Sequence, residues 1–150
     1  MHVAARLLMT AAWLSAAPLA LAQGESPAGL WRTVDDKTGK ERSLVRIVDN
    51  AGVFEGKVEK LLKRQPDDDP DGLCRKCEGD RKDKPIVGMT ILWGLKKDAE
   101  QFTGGEILDP KNGKIYRAKM KLLEGGRKLE VRGYIGVSLL GRSQTWYREH

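Results

Sequence analysis

The chain has 150 residues with 27 basic and 21 acidic side chains, a formal net charge of +6, and that length suits one domain built around one core. The basic residues are interleaved with Glu and Asp, so nucleic acid is not an expected partner and most of the charge reads as solvated surface. The only histidines are His2 and His150, at the two chain ends, which argues against serine–histidine–acid catalysis, cysteine–histidine catalysis and histidine-built zinc sites.

At the start of the chain, Arg6 precedes a short apolar core of Leu7, Leu8, Met9, Ala11, Ala12, Trp13 and Leu14, and Ala20 and Ala22 form a small-x-small cleavage site. The apolar stretch is interrupted by Ser15 and Pro18 and falls short of the roughly 20 residues a membrane-spanning helix needs. Residues 1–22 therefore read as a cleavable signal peptide. Position 23 is Gln, not the cysteine that a lipid anchor requires. A periplasmic or secreted protein of residues 23–150, without a membrane anchor, is expected. Losing Arg6 takes the basic count from 27 to 26 against 21 acids, a net charge of +5.

Beyond the leader, apolar residues alternate at period two, the signature of half-buried strands. The strands are expected at 29–34, 43–49, 53–62, 86–95, 101–108, 114–123, 128–134 and 139–148. In 114–123 the pattern is clearest, with Tyr116, Ala118, Met120 and Leu122 on one face and Arg117, Lys119 and Lys121 on the other. Turn-forming clusters separate the strands at Asp35-Asp36-Lys37-Thr38-Gly39, Asp49-Asn50-Ala51-Gly52, Asp109-Pro110-Lys111-Asn112-Gly113 and Glu124-Gly125-Gly126. The expected fold is all-β, an antiparallel meander of about eight strands closed into a small barrel. Closure removes exposed edges, and a barrel of this size holds its own side chains or one small ligand.

A long polar connection over residues 63–84 interrupts the hairpins, and loops of that length are commonly functional or specially tied down. It holds the only two cysteines, Cys74 and Cys77. A metal site would need two more thiolate or imidazole ligands. Arg75 and Lys76 would stabilise a thiolate, but the pair lacks the strand–helix setting of a redox motif. A structural disulfide that pins the loop is the favoured reading, as suits an oxidising compartment. Asp67, Asp69, Asp71, Gly72 and Glu78 have the spacing of a twelve-residue calcium loop. Pro70, Arg75 and the lack of a flanking helical sequence favour a solvated acidic turn instead. No resident metal or cofactor is expected.

Gly29-Leu30-Trp31 opens the first strand and Trp146-Tyr147-Arg148 closes the last. This looks like the lipocalin-type pattern in which a late arginine covers an early tryptophan and shuts one end of the barrel, a cation over an aromatic face. Further blocks are Cys74-x-x-Cys77, Lys84-Pro85-Ile86-Val87-Gly88-Met89, Gly104-Gly105-Glu106-Ile107-Leu108-Asp109-Pro110-Lys111-Asn112-Gly113-Lys114-x-Tyr116, Leu129-x-Val131-Arg132-Gly133-Tyr134-Ile135-Gly136 and Arg142-x-Gln144-Thr145-Trp146. In this order they resemble the bacterial family numbered 2147 among the domains of unknown function, small exported proteins. The resemblance implies a lipocalin-like β-barrel and supplies no activity.

The expected function is a non-enzymatic binding module for a small apolar or amphipathic molecule. Candidate contacts are Trp31, Met89, Trp93, Phe102, Tyr116, Tyr134 and Trp146, with Arg142 as partner for a ligand carboxylate. The alternatives are an envelope protein that binds a protein or anionic polymer through its outer surface, and a thiol–disulfide enzyme using Cys74 and Cys77. Intact-mass measurement of exported protein is expected to show a chain beginning at Gln23; a mass that retains residues 1–22 would overturn the export reading.

Overall fold

The computed structural model describes residues 25–150; the signal-peptide reading of residues 1–22 lies outside them. Eight strands follow one another: β1 (Gly29–Val34), β2 (Glu41–Asn50), β3 (Val53–Leu61), β4 (Thr90–Asp98), β5 (Gln101–Asp109), β6 (Lys114–Leu123), β7 (Lys128–Tyr134) and β8 (Gly141–Glu149). Each pairs antiparallel with the next, and β8 returns to β1 to close a barrel. No helix among the described residues is long and apolar enough to cross a membrane.

The strand path sorts the connections into two ends. The β1–β2, β3–β4, β5–β6 and β7–β8 connections form the mouth, and the three remaining turns form the opposite, closed end. Inward side chains meet across the register as Trp31↔Val45, Val45↔Val58, Met120↔Val131 and Leu129↔Trp146, all of them buried. Each large side chain withdrawn from water this way contributes about 1.5–3 kcal/mol. Toward the closed end, Phe54 and Phe102 pack edge to face with centroids 5.1 Å apart and fill the interior.

The closed end is sealed by Arg148. Its guanidinium lies 4.3 Å from the centroid of the Trp31 ring and donates to the carbonyls of Gly126 at 2.7 Å, Ala28 at 2.9 Å and Ser26 at 2.8 Å. The indole of Trp31 donates to the Pro27 carbonyl at 2.8 Å, so the chain preceding β1 is strapped across the barrel end. Gly29 makes the approach possible: a Cβ there would stand 2.6 Å from the Arg148 guanidinium, and its φ of +142° disfavours any side chain.

β2 begins at Glu41 and not at Ser43, β4 runs on to Asp98 and not Leu95, and several other ends move by one residue, while two strand starts fall later than expected. The segment 86–89 belongs to the loop and not to β4, because Ile86 donates its N–H to the Gly72 carbonyl and Met89 turns back to Ile86. Leu139 and Leu140 precede β8 in a turn closed by Leu140 N–H to the Val137 carbonyl. In both places apolar residues suggested a strand, while the backbone hydrogen bonds are satisfied locally.

The connection between β3 and β4 is tied down along its length. Leu73 bridges to Pro85, a short 3-10 helix covers Gly79–Arg81, and Cys74 and Cys77 form a disulfide with Cα atoms 5.4 Å apart. Both cysteines are buried, at 0% and 2% exposure. The segment between them rests on the β5–β6 turn, where the Gly113 backbone touches that of Lys76 so closely that a Cβ would overlap the Lys76 carbonyl. The Cys-x-x-Cys motif and the glycine of the Asp-Pro-Lys-Asn-Gly turn are thus two halves of one contact.

Two outcomes follow for stability. Arg148→Ala is expected to cost about 2–4 kcal/mol in urea unfolding, since it removes the cation–aromatic contact and leaves three carbonyls without their donor. Arg148→Lys is expected to restore little of it, because an ammonium lacks the planar fork; full rescue by lysine would show that charge alone matters. Gly113→Ala, or serine at both Cys74 and Cys77, is expected to raise amide exchange across residues 62–89 while the strands stay protected. Equal loss of protection in the strands would contradict a loop held separately from the barrel.

Candidate functional site

The mouth half of the barrel is hollow. A cavity of about 930 Å³ extends from the mouth loops down to Trp146, within the range of small-molecule sites. Its floor is hydrocarbon, supplied by Val58, Val131 and the Trp146 ring, and Ile91 and Leu108 add apolar lining nearer the mouth. The space exists because the layer above the floor carries small or short side chains: Thr33 and Ser43 face each other across β1 and β2, and Gly133 faces inward between Ile107 and Tyr116.

That layer is also where polarity enters. The hydroxyls of Thr33 and Ser43 lie 2.8 Å apart, and the Ser43 N–H donates to Thr33 Oγ1 at 3.1 Å, so two buried polar groups satisfy each other. Trp146 Nε1 donates to Gln144 Oε1 at 3.2 Å, which leaves the Gln144 NH₂ for another acceptor. Tyr116 accepts at its hydroxyl from Asn112 Nδ2 at 2.9 Å and retains its own proton to donate. A molecule in the cavity meets hydrocarbon at the floor and hydrogen-bonding groups midway.

Ion pairs ring the mouth. Arg142 makes a two-pronged contact with Asp36, Arg42 pairs with Asp68 at 2.5 Å, Lys111 with Asp67 at 2.5 Å, and Arg75 with Asp69 and Asp71 at 3.0 and 2.9 Å. The run expected as a solvated acidic turn is thus neutralised residue by residue. Asp69 is further engaged by the N–H groups of Asp71 and Leu73, a local turn and not a cradle for an ion. Among the described residues no cluster of His, Cys, Asp or Glu is arranged to hold a metal.

These pairs shift the carboxylates. The Arg142 hydrogen bond holds Asp36 below its ordinary range, the Lys111 hydrogen bond does the same for Asp67, and Asp69 is lowered by the Leu73 N–H and then by Arg75. A carboxyl lowered by folding stabilises the folded loop above its unfolded pKa, near 3.8. That contribution is lost as pH falls through the lower, folded value.

Of the residues expected to contact a ligand, Tyr116, Tyr134, Arg142 and Trp146 surround this cavity, brought together from β6, β7 and β8. The other four lie elsewhere. Trp31 is beneath Arg148 at the closed end, and Phe102 fills the lower interior against Phe54. Met89 is buried beside Val58 at the base of the loop. Trp93 is on the outer wall, donating to Glu106 at 3.0 Å with Arg81 over its ring. Pleat direction explains Trp93, and height along the barrel explains Trp31 and Phe102. The sequence reading passed over Thr33, Ser43, Asn112 and Gln144; the parity of Gln144 with Trp146, and of Thr33 with Trp31, was the available signal.

The pattern of the family described as "Uncharacterized protein conserved in bacteria (DUF2147)" matches residues 29–148. The fold is similar to that of HP1028 from Helicobacter pylori, described as belonging to the lipocalin family, with a TM-score of 0.69 and 19% sequence identity over 83% of this chain and 84% of that one. Such low identity speaks to the fold alone. No curated protein matches the chain. The family match runs from the glycine that admits Arg148 to Arg148 itself and takes in every strand, so the chain belongs to this bacterial family, domain of unknown function 2147, built on a lipocalin-like barrel.

Proposed function

We propose that the protein is an exported, non-enzymatic carrier that holds a small amphipathic molecule in the mouth half of its barrel. One observation carries the reading: a cavity with a hydrocarbon floor at Trp146, hydroxyl and amide groups midway and charges at its rim, graded as an amphiphile is graded. Export is supported by the sequence of residues 1–22 and by a disulfide, which persists in oxidising compartments. Burial of both sulfurs speaks for a structural clamp over a thiol–disulfide enzyme. Arg142 reaches a ligand carboxylate only by exchanging it for Asp36, whereas Lys63 and Lys76 line the same rim outside any ion pair among the described residues.

The cavity is shallow. From Trp146 to Gly141 at the mouth, β8 spans five residues, about 17 Å along the strand and about 13 Å along a barrel axis given the usual tilt. In protein carrying Trp31→Phe and Trp93→Phe, Trp146 reports alone. Saturated fatty acids are expected to change its emission saturably, with affinity rising about fourfold per methylene through medium chains and levelling off before palmitate. Removing Lys63 and Lys76 is expected to weaken acids more than the matching alcohols. A flat Trp146 signal, with no heat in calorimetry at any chain length, would remove the carrier reading.

A further inference from the structure

We propose that the β7–β8 loop docks the barrel mouth onto an anionic phospholipid bilayer. Between Arg132 and Arg142 the chain carries no charged residue, and its apolar side chains face outward: Ile135 is 66% exposed, Val137 59%, Leu139 89% and Leu140 68%. Extending the β6–β7 register by two residues from Arg117↔Tyr134 brings Ile115, also exposed, level with Gly136. Clustered exposed hydrophobic side chains mark an interaction surface.

The loop is held out by design and not by looseness. Ile135 N–H donates to the Leu140 carbonyl at 3.2 Å, and Leu140 N–H to the Val137 carbonyl at 3.0 Å. Arg132 braces it from below through the carbonyls of Ser138 at 2.7 Å and Leu139 at 3.4 Å and through Ser143 Oγ at 3.1 Å. Satisfying the loop's carbonyls internally lets its tip enter an apolar phase without stranding them.

Charge on the same rim selects the partner. Lys37, Lys63, Arg64 and Lys76 line the mouth with Ile135 and Leu140 and have no carboxylate partner among the described residues, against Asp35 and Asp109 in the same lining without a basic one, so the unpaired charge of the rim is net positive. An uncharged apolar tip beside unpaired ammonium groups matches acyl chains beneath anionic headgroups. Ile135 and Leu140 belong to both the patch and the cavity wall, so a docked mouth would pass an amphiphile to or from the bilayer without exposing it to water. That use rests on the carrier reading, but vesicle binding and ligand binding are separate measurements.

The test is flotation of residues 23–150 with vesicles of phosphatidylglycerol and phosphatidylcholine, or of phosphatidylcholine alone. The protein is expected to float with the mixed vesicles and to detach as salt is raised. Val137→Asp with Leu139→Asp is expected to lower vesicle affinity roughly tenfold or more, and each of Lys37→Gln and Lys63→Gln about fivefold. Val137→Trp is expected to shift its emission to the blue on the mixed vesicles. The aspartate pair avoids the cavity lining, so its medium-chain fatty acid affinity in solution is expected to stay unchanged; that result with lost flotation separates docking from ligand binding. Failure of the wild type to float, unchanged flotation of the aspartate pair, or equal binding to both vesicle types would overturn docking on an anionic bilayer. So would sedimentation showing a dimer without lipid that the aspartate pair dissolves, since a second copy would then own the patch.

Discussion

Eight strands make a barrel only if the last finds the first, and here that seam is short. β1 and β8 pair over Leu30↔Glu149, Trp31↔Arg148 and Arg32↔Tyr147, far fewer positions than the neighbouring hairpins share. Arg148 stands at the centre of this seam, stacked on Trp31 and bonded to three carbonyls of the segments that pass beneath it. One side chain thereby joins the start of the barrel, its end and the β6–β7 turn. A cation engaged by three backbone acceptors and an aromatic face has little residual need for water, and its geometry admits only glycine at position 29.

With one end sealed by side chains, the interior divides by volume. Large groups near the seal, among them Phe54, Phe102, Met120 and Leu129, pack into one buried cluster. Above Trp146, Thr33, Ser43 and Gly133 take inward positions beside Ile107, Tyr116 and Gln144, and at these small residues the same barrel radius leaves a cavity. Those short polar side chains also set its chemistry, because Thr33 and Ser43 satisfy each other without closing off the space. The hollow half lies at the end where the long loop, the ion pairs and the apolar β7–β8 loop all gather.

That long loop is ordered by contacts made one at a time. A buried disulfide fixes a turn of four residues, the backbone of Gly113 receives it, and the aspartates around it find arginine or lysine partners. Individually, exposed ion pairs contribute little. Their collective effect is to orient a polar segment that has almost no core of its own.

The sequence by itself determined the strand count and the hairpin order, since period-two alternation and turn chemistry are local properties of neighbouring positions. Strand limits at Ser43, Val53, Lys114 and Lys128 could be placed to within a few residues for that reason, whereas the pair that seals the barrel, Trp31 and Arg148, was legible only through the resemblance to the lipocalin-type pattern. Ile86, Val87, Leu139 and Leu140 misled because an apolar residue reads alike in a strand and in a loop whose backbone is satisfied by its own turns. Only the tertiary structure decided which inward residues face a void. Trp31, Phe102 and Trp146 carry the same parity signal, yet two lie in the filled half and one forms a floor. Height along a closed barrel depends on register and tilt summed over all eight strands, and no single stretch of the chain contains that sum.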